Sequence, residues 1–166
     1  KGKQFWWYVS CMSHGCDYLS DSKRPDFVID RSSSHIRSIA WLSYQYEIDA
    51  FLYYAVVDGY RKFPKRDPWK DLWDFSGNGD GTLYYPGRPG VLHFTEHQPV
   101  PSIRLKLWRE ASFDFEYLKW ISESNPPAWF KKELRKIAPN TQTWSRQYRD
   151  YQKLRDRIGR YLNGKK

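Results

Sequence analysis

The sequence predicts an α/β fold, and three observations carry the prediction. Residues 5–10 (FWWYVS) form a short apolar run rich in aromatic and β-branched side chains, without helical spacing, which reads as a buried strand. Residues 48–57 (IDAFLYYAVV) are apolar on both parities, as suits a strand covered on both faces of a parallel sheet. Between and after these runs lie stretches whose apolar residues recur at three- and four-residue steps, the mark of helices packed along one stripe. Strands alternating with helices argue for a parallel arrangement. A hydrophobic content of 40% and an aromatic content of 19% over 166 residues place the chain among globular proteins able to build one core.

Each element follows from local signals. Residues 11–33 are polar and turn-rich, with Arg24-Pro25 and a serine run at 32–34, and are expected to be loop. The serines cap a helix expected over 34–47, with Ile36, Ile39, Ala40 and Ser43 on its apolar face and Tyr46 or Glu47 closing it. Asp30 and Arg37 are expected to cap and anchor that helix. Residues 58–81 make a long loop carrying Pro64, Asp67-Pro68-Trp69 and several glycines; loops of that length are uncommon in compact domains and often functional. A third strand is expected at 82–85, stopped by Pro86-Gly87, with a short extended piece at 91–94. Ser102 caps the longest helix, 103–123, whose inner stripe is Leu107, Trp108, Ala111, Phe115, Leu118 and Ile121. Asn125-Pro126-Pro127 breaks it. A short helix at 128–138 turns Phe130, Leu134 and Ile137 inward and ends at Pro139. A last helix at 141–162 places Trp144, Tyr148, Tyr151, Leu154, Ile158 and Tyr161 on one face.

The net charge of +9 invites a polyanion-binding reading, so its distribution matters. Residues 126–166 hold 12 Lys and Arg against 3 Asp and Glu, which leaves 16 of each sign in residues 1–125. The excess sits on the terminal helices, where Arg146, Arg149, Lys153, Arg157 and Arg160 run opposite the apolar stripe, as on a solvated helix face. No docking motif accompanies them, so nucleic acid is not an expected partner. No apolar run approaches the ~18 residues of a membrane span. Residues 11–16 (CMSHGC) crowd two cysteines and a histidine together, but the spacing fits no common zinc pattern and a fourth ligand is missing nearby. Free thiols or a short-loop disulfide are expected there, and neither metal nor cofactor.

The glycine-rich segment 77–87 (GNGDGTLYYPG) fits no phosphate or calcium cradle. Gly79-Asp80-Gly81-Thr82 lacks the lysine of a P-loop and opens a strand rather than a helix. A calcium loop starting at Ser76 would put Gly87 where the bidentate acid belongs. Followed by residues 101–118 (PSIRLKLWREASFDFEYL) and preceded by residues 49–57 (DAFLYYAVV), however, the segment resembles the end of the catalytic domain of glycoside hydrolase family 123, also described as domain of unknown function 4091. WWYVSC at 6–11, VIDRSSSHIRSIAWL at 28–42 and YQKLRDRIGRYL at 151–162 are similar in the same order. The pairing of GDG-x-L-x-YPG with SIR carries most of the resemblance.

The resemblance implies a (β/α)8 TIM-type barrel that removes terminal β-linked N-acetylgalactosamine with retention of configuration. In the implied mechanism the sugar's own acetamide oxygen attacks the anomeric carbon, an Asp orients the acetamide, and the adjacent Glu protonates the leaving oxygen. This chain has no adjacent Asp-Glu pair; the nearest approach, Asp114-Phe115-Glu116, lies in the long helix, where carboxylates two apart do not face one site. The expectation is therefore the C-terminal portion of such a barrel, about strands six to eight with their helices, over residues 1–125. A helical C-terminal extension over 126–166 packs on the same domain, and the pair lies in an N-terminal part that precedes Lys1. The chain opens at Lys1 without an initiator Met or signal peptide; a secreted, periplasmic or cell-surface location follows if the longer polypeptide carries a signal peptide. Two departures stand out. Tyr54 and Val57 occupy the places of a Trp and an Asn that the family often shows, removing a sugar-hydroxyl contact. Arg109-Glu110-Ala111 replaces the family's Arg-Asp-Gly, where helix packs against barrel.

Barrel geometry puts substrate contacts at the carboxyl ends of strands and in the loops that follow. Tyr8, Tyr54, Asp58, Asp80 and Tyr85 are the candidate substrate-binding residues, with no catalytic residue in this chain. Asp80 enters from the opposite rim unless the long loop folds back over the mouth, and a loop-fixing role through backbone amides competes with sugar binding. The expected partner is an N-acetylhexosamine-containing glycan, together with the remainder of the barrel. A non-catalytic carbohydrate-binding or scaffolding barrel module is the alternative. An open three-strand arc would also leave Phe5, Trp6, Trp7 and Tyr8 wetted.

Overall fold

The structure, a computed structural model, describes residues 2–16 and 23–164. Its sheet nucleus is a parallel pair, β1 (Trp6–Tyr8) and β2 (Ala50–Leu52), registered Trp6 to Ala50, Trp7 to Phe51 and Tyr8 to Leu52. The crossover between them contains a short helix, α1 (Cys11–His14), and a long one, α2 (Ser33–Gln45). Ser32 caps α2, its hydroxyl accepting from the Ser34 amide at 3.2 Å, and a left-handed Glu47 at φ 53° ends it, so the chain can turn directly into β2. The expected loop at 11–33 thus begins with a helical turn; residues 17–22 of it lie outside the described residues.

Side chains alternate across the two strands. Trp7, Val9, Phe51 and Tyr53 face the helices and pack with Phe27, Ile36, Ile39, Leu83 and Trp108. Trp6, Tyr8, Leu52 and Tyr54 point the other way and are about half or more exposed, at 64%, 58%, 46% and 57%. Of the four residues expected to be wetted, Phe5, Trp6 and Tyr8 are exposed, whereas Trp7 turns inward and donates from its indole to Ser43 at 3.0 Å.

The helical layer holds the larger core. Helix α4 (Ile103–Glu123) starts at Ser102, whose hydroxyl accepts from the Leu105 amide. It packs beside α2, and α5 (Trp129–Ile137) and α6 (Tyr148–Asn163) close over both. Trp41, Ala111, Leu118, Phe130, Tyr151 and Ile158 meet in one cluster, so residues on both sides of position 125 share a core. The last helix starts seven residues later than its periodicity predicts. Asn140 folds an Asx turn by accepting from the Gln142 amide at 2.9 Å, and Ser145 donates its amide to Ile137, which holds residues 139–147 off the helical path. Trp144 is still buried, from a loop.

The third expected strand is corrected by the structure. Residues 84–87 do form a strand, β5 (Tyr84–Gly87), but it pairs antiparallel with β6 (Gln98–Pro101) rather than joining the parallel pair. Pro86 sits opposite Pro99, and Tyr84 opposite Pro101. Prolines donate no ladder hydrogen bond, so these residues suit a two-stranded hairpin and not a central strand. The extended piece expected at 91–94 is a turn, with Leu92 and His93 left-handed, and extension comes later, at β6. The long loop has structure of its own: α3 (Asp58–Arg61) and a small hairpin of β3 (Trp73–Asp74) with β4 (Gly77–Asn78).

Candidate functional site

The carboxyl ends of β1 and β2 are covered by the long loop, which folds back across them. Asp80 fixes it there. One carboxylate oxygen accepts from the Cys11 amide at 2.9 Å, just past β1; the other accepts from the Tyr53 hydroxyl at 2.9 Å, just past β2, and from the Gly81 amide at 3.1 Å. The Tyr53 hydroxyl in turn accepts from Gly81 N at 2.8 Å. Burial pushes the Asp80 carboxyl above the usual carboxylate range, against the lowering effect of its hydrogen bonds from Cys11, Tyr53 and Gly81. Burial, and then the neighbouring Asp80 charge, drives the Tyr53 hydroxyl far above the usual phenol range. Asp80 is only 2% exposed, so its oxygens serve the fold rather than an arriving ligand.

Arg104 completes this lock from the first turn of α4. Its buried guanidinium donates to the carbonyls of Phe27 (2.8 Å), Thr82 (2.6 Å) and Gly79, joining the crossover loop, the long loop and α4 without an acidic partner among the described residues. Gly79 is required there: its φ is +80°, and a Cβ would lie 2.8 Å from the guanidinium. Gly77 lets the hairpin press on the Cys11–Cys16 disulfide, where a Cβ would come within 2.5 Å of the Cys11 sulfur. The two cysteines are joined, which decides between the thiol and disulfide expectations. Among the described residues no cluster of three or more His, Cys, Asp or Glu is arranged to hold a metal ion.

Asp58 does not end β2 as expected; the strand stops at Leu52 and Asp58 opens α3. It is 1% exposed and pairs with Lys62 at 2.5 Å and with Arg61. Burial works to raise its carboxyl, but hydrogen bonds and charge from Lys62 and Arg61 overcome this and hold it below the usual range. Tyr85 lies away from the strand ends, in the β5–β6 hairpin, with its ring 4.8 Å from Trp69, whose indole donates to Pro86. Asp30 accepts from Asn78 at 3.1 Å instead of capping α2.

Tyr8 and Tyr54 are the two candidates that share one surface. They lie on the uncovered face at the carboxyl ends of β1 and β2. The Tyr8 hydroxyl shares a 3.2 Å hydrogen bond with Ser13, and the Tyr54 ring meets Phe75 of the β3–β4 turn edge-on at 5.9 Å. The Tyr54–Ala55 peptide between them and the long loop is cis. Exposed aromatic faces held by a rigid sheet suit stacking on the apolar face of a sugar ring. A concavity of about 950 Å³ lies elsewhere, by the amino end of β2 between α2, α4 and α5. Its charges, Glu47, Asp49, Lys119, Lys131 and Arg135, are of mixed sign and lack any buried acid or base.

The nearest approach to an Asp-Glu pair is ruled out by its surroundings. Asp114 is fully buried and receives Arg37 at 2.5 and 2.9 Å and the Trp41 indole at 2.8 Å, with Arg155 at 3.2 Å. Arg37 therefore anchors α2 to α4 rather than to its own terminus. Sequence reasoning missed Tyr53 and Arg104 as the partners of the glycine-rich loop. The one signal for Arg104 is a cation on the inward side of an amphipathic helix, where only carbonyls or acids can receive it. Glu110 pairs with Arg155 at 3.0 Å and Ala111 is fully buried, so residues 109–111 join helices. No helix among the described residues is long and apolar enough to cross a membrane. No protein-family model matches the chain, and no curated protein matches its sequence.

Proposed function

We propose that these residues form the closing part of a glycoside-hydrolase-like barrel whose remaining strands come from sequence outside the 166 residues. The observation that carries this reading is the two-sided apolar sheet. Helices cover one face of the parallel β1–β2 pair, while Trp6, Tyr8, Leu52 and Tyr54 stand uncovered on the other. A parallel strand pair with helices on one side and large side chains on the other is the repeating unit of a closed barrel, in which the second face fills the interior. In the proposed enzyme Tyr54 and Tyr8 line the sugar site at the strand ends. Asp80, Tyr53 and Arg104 hold the loop that shapes it. The acid and the acetamide-orienting residue come from an earlier strand. The substrate is a terminal β-linked N-acetylhexosamine, with N-acetylgalactosamine as the first sugar to test.

A second reading, a non-catalytic carbohydrate-binding or scaffolding module, is favoured by one observation: Asp58, Asp80 and Asp114 are all buried in hydrogen bonds or ion pairs. The test compares the 166-residue chain with the gene product extended upstream, using an aryl N-acetyl-β-galactosaminide. The enzyme reading expects turnover only from the extended protein and its loss when an upstream Asp-Glu pair is changed. Turnover by the 166-residue chain, abolished by a single Asp or Glu substitution within it, contradicts that reading. Sugar binding without turnover by the extended protein favours the module.

A further inference from the structure

The positive charge of the chain gathers on the outer side of α5 and α6. On α6, Arg149, Lys153, Arg157 and Arg160 are all exposed and follow one another at steps of four, four and three residues, opposite the buried Tyr151, Leu154 and Ile158. The row is about 16 Å long. Helix α5 lays a second row beside it. Arg157 lies over the Trp129 ring of α5 at 3.9 Å, and Lys132 and Lys136 are exposed on the same helix. Glu133 marks where the rows meet. It accepts from Lys136 at 2.9 Å, and Lys136, then the charges of Arg157 and Lys132, hold its carboxyl below the usual range. Asp150 is turned onto the 139–147 loop, where it accepts from Ser145, and Asp156 accepts from Gln152 at the edge of the face. Set against all three of these acids, the six cations of the two rows still leave three positive charges in excess.

We propose that this α5–α6 face binds an acidic polysaccharide, a polymer with carboxylate or sulfate groups along its length. Charge complementarity selects an anionic partner. Residues 1–125 hold 16 charges of each sign, so the excess that attracts a polyanion is confined to the terminal helices. The guanidiniums of Arg149, Arg157 and Arg160 can each grip a carboxylate or sulfate through two parallel N–H bonds, and the lysines add point charges. Stacking on Trp129 positions Arg157 in advance, so it loses less freedom when a ligand arrives. Shape selects a polysaccharide over nucleic acid. Two helices side by side present a face about 20 Å wide, too broad to enter a major groove of about 12 Å. The aromatic ring within the patch, Trp129, is covered by Arg157 and cannot stack on bases. The outward face of α6 carries no apolar side chain to enter a bilayer. A flexible acidic chain needs only the row of cations. This site is separate from Tyr8 and Tyr54 and does not depend on the sugar-cleaving reading.

The test is isothermal titration of the 166-residue chain with a size-defined chondroitin sulfate oligosaccharide. Binding is expected to weaken at least about tenfold between about 50 and about 200 mM salt, as contacts made by charge do. Combining Lys132→Gln, Lys136→Gln, Lys153→Gln and Arg160→Gln should lower the affinity at least about tenfold. A control combining Lys23→Gln, Lys65→Gln, Lys70→Gln and Lys106→Gln removes the same charge from exposed sites elsewhere. At the higher salt, where remote charges are screened, it should change affinity less than about threefold. No binding at the lower salt, equal losses in the two variants, or equal binding of neutral dextran overturns the proposal. So does tighter binding of short duplex DNA or of phosphatidylserine vesicles than of the oligosaccharide. If the first variant does not fold, amide shifts of the parent protein on titration still decide: they should centre on residues 132–136 and 149–160, and shifts centred elsewhere overturn the site.

Discussion

Asp80 gathers one hydrogen bond from beyond each parallel strand and one from its own turn, so a single carboxylate ties three segments together. In Asp80→Asn the amide nitrogen faces either the Cys11 amide or the Tyr53 and Gly81 donors. The expected loss is about 1–3 kcal/mol in chemical denaturation, the cost of a buried donor left unmade. The buried Asp80 of the returning loop and Asp58 at the start of α3 also make opposite predictions with pH. The Asp80 carboxyl is raised in the fold, so its charged form is disfavoured there. The stability advantage of the parent over Asp80→Asn should shrink as pH rises above the ordinary carboxylate value of about 4. The Asp58 carboxyl is lowered. The advantage over Asp58→Asn should be full above that value and disappear as pH falls below it. Urea midpoints of the three proteins between pH 3 and pH 7 check both signs, and parallel curves would contradict the assignment of these groups.

At the scale of elements, the helix layer is pinned by Asp114, which receives Arg37 of α2, the Trp41 indole and Arg155 of α6. Removing it leaves a fully buried Arg37 charge unpaired, so Asp114→Ala should cost about 3–5 kcal/mol. Arg37→Met combined with Asp114→Leu replaces the pair by apolar volume and should recover most of that loss. Equal destabilisation by the single and double changes would show that the pair does not act as a unit. These helices were legible in the sequence because periodicity and caps agree: Ser32 and Ser102 cap the helices expected after them, and the stripe Ala111, Leu118, Ile121 is buried as its spacing requires. The strands were legible as runs but not as pairings. Pro86 within YYPG is the local sign against a central strand, but the partner of that strand is set by the register of Pro86 with Pro99, which lies 13 residues on. The α6 start was misplaced because the Asx turn at Asn140 outcompetes a good apolar period. For the site, the sequence places Tyr8 and Tyr54 at the carboxyl ends of the first two strands, and the structure has Tyr8 as the last residue of β1 and Tyr54 just past β2. The Asp80–Tyr53–Arg104 lock was not legible, because Tyr53 lies 27 residues from Asp80 and Arg104 lies 25 from Gly79, and they meet only through the returning loop.

On the scale of the whole molecule, the uncovered face of β1 and β2 is the feature any account must explain. Trp6, Tyr8, Leu52 and Tyr54 together are a large apolar surface for a sheet of two strands, and such surfaces mark contacts with further protein or ligand. If the strand ends bind sugar, Tyr54→Ala should weaken N-acetylhexosamine binding by the extended protein roughly 3- to 10-fold, the worth of one aromatic stacking contact. Isothermal titration checks this, with Tyr85→Ala, in the distant hairpin, expected to change binding little. Trp6→Ala should leave sugar binding intact if its ring fills the barrel interior below the strand ends, and should lower the thermal midpoint of the extended protein more than that of the 166-residue chain. The central claim is that more strands cover this face. Hydroxyl-radical footprinting of Trp6, Tyr8 and Tyr54, compared between the 166-residue chain and the gene product extended upstream, tests it most directly. The barrel account predicts strong labelling of Trp6 in the shorter chain and at least severalfold protection in the longer one, with Tyr54 protected further by sugar. Equal labelling of Trp6 in both proteins would contradict it.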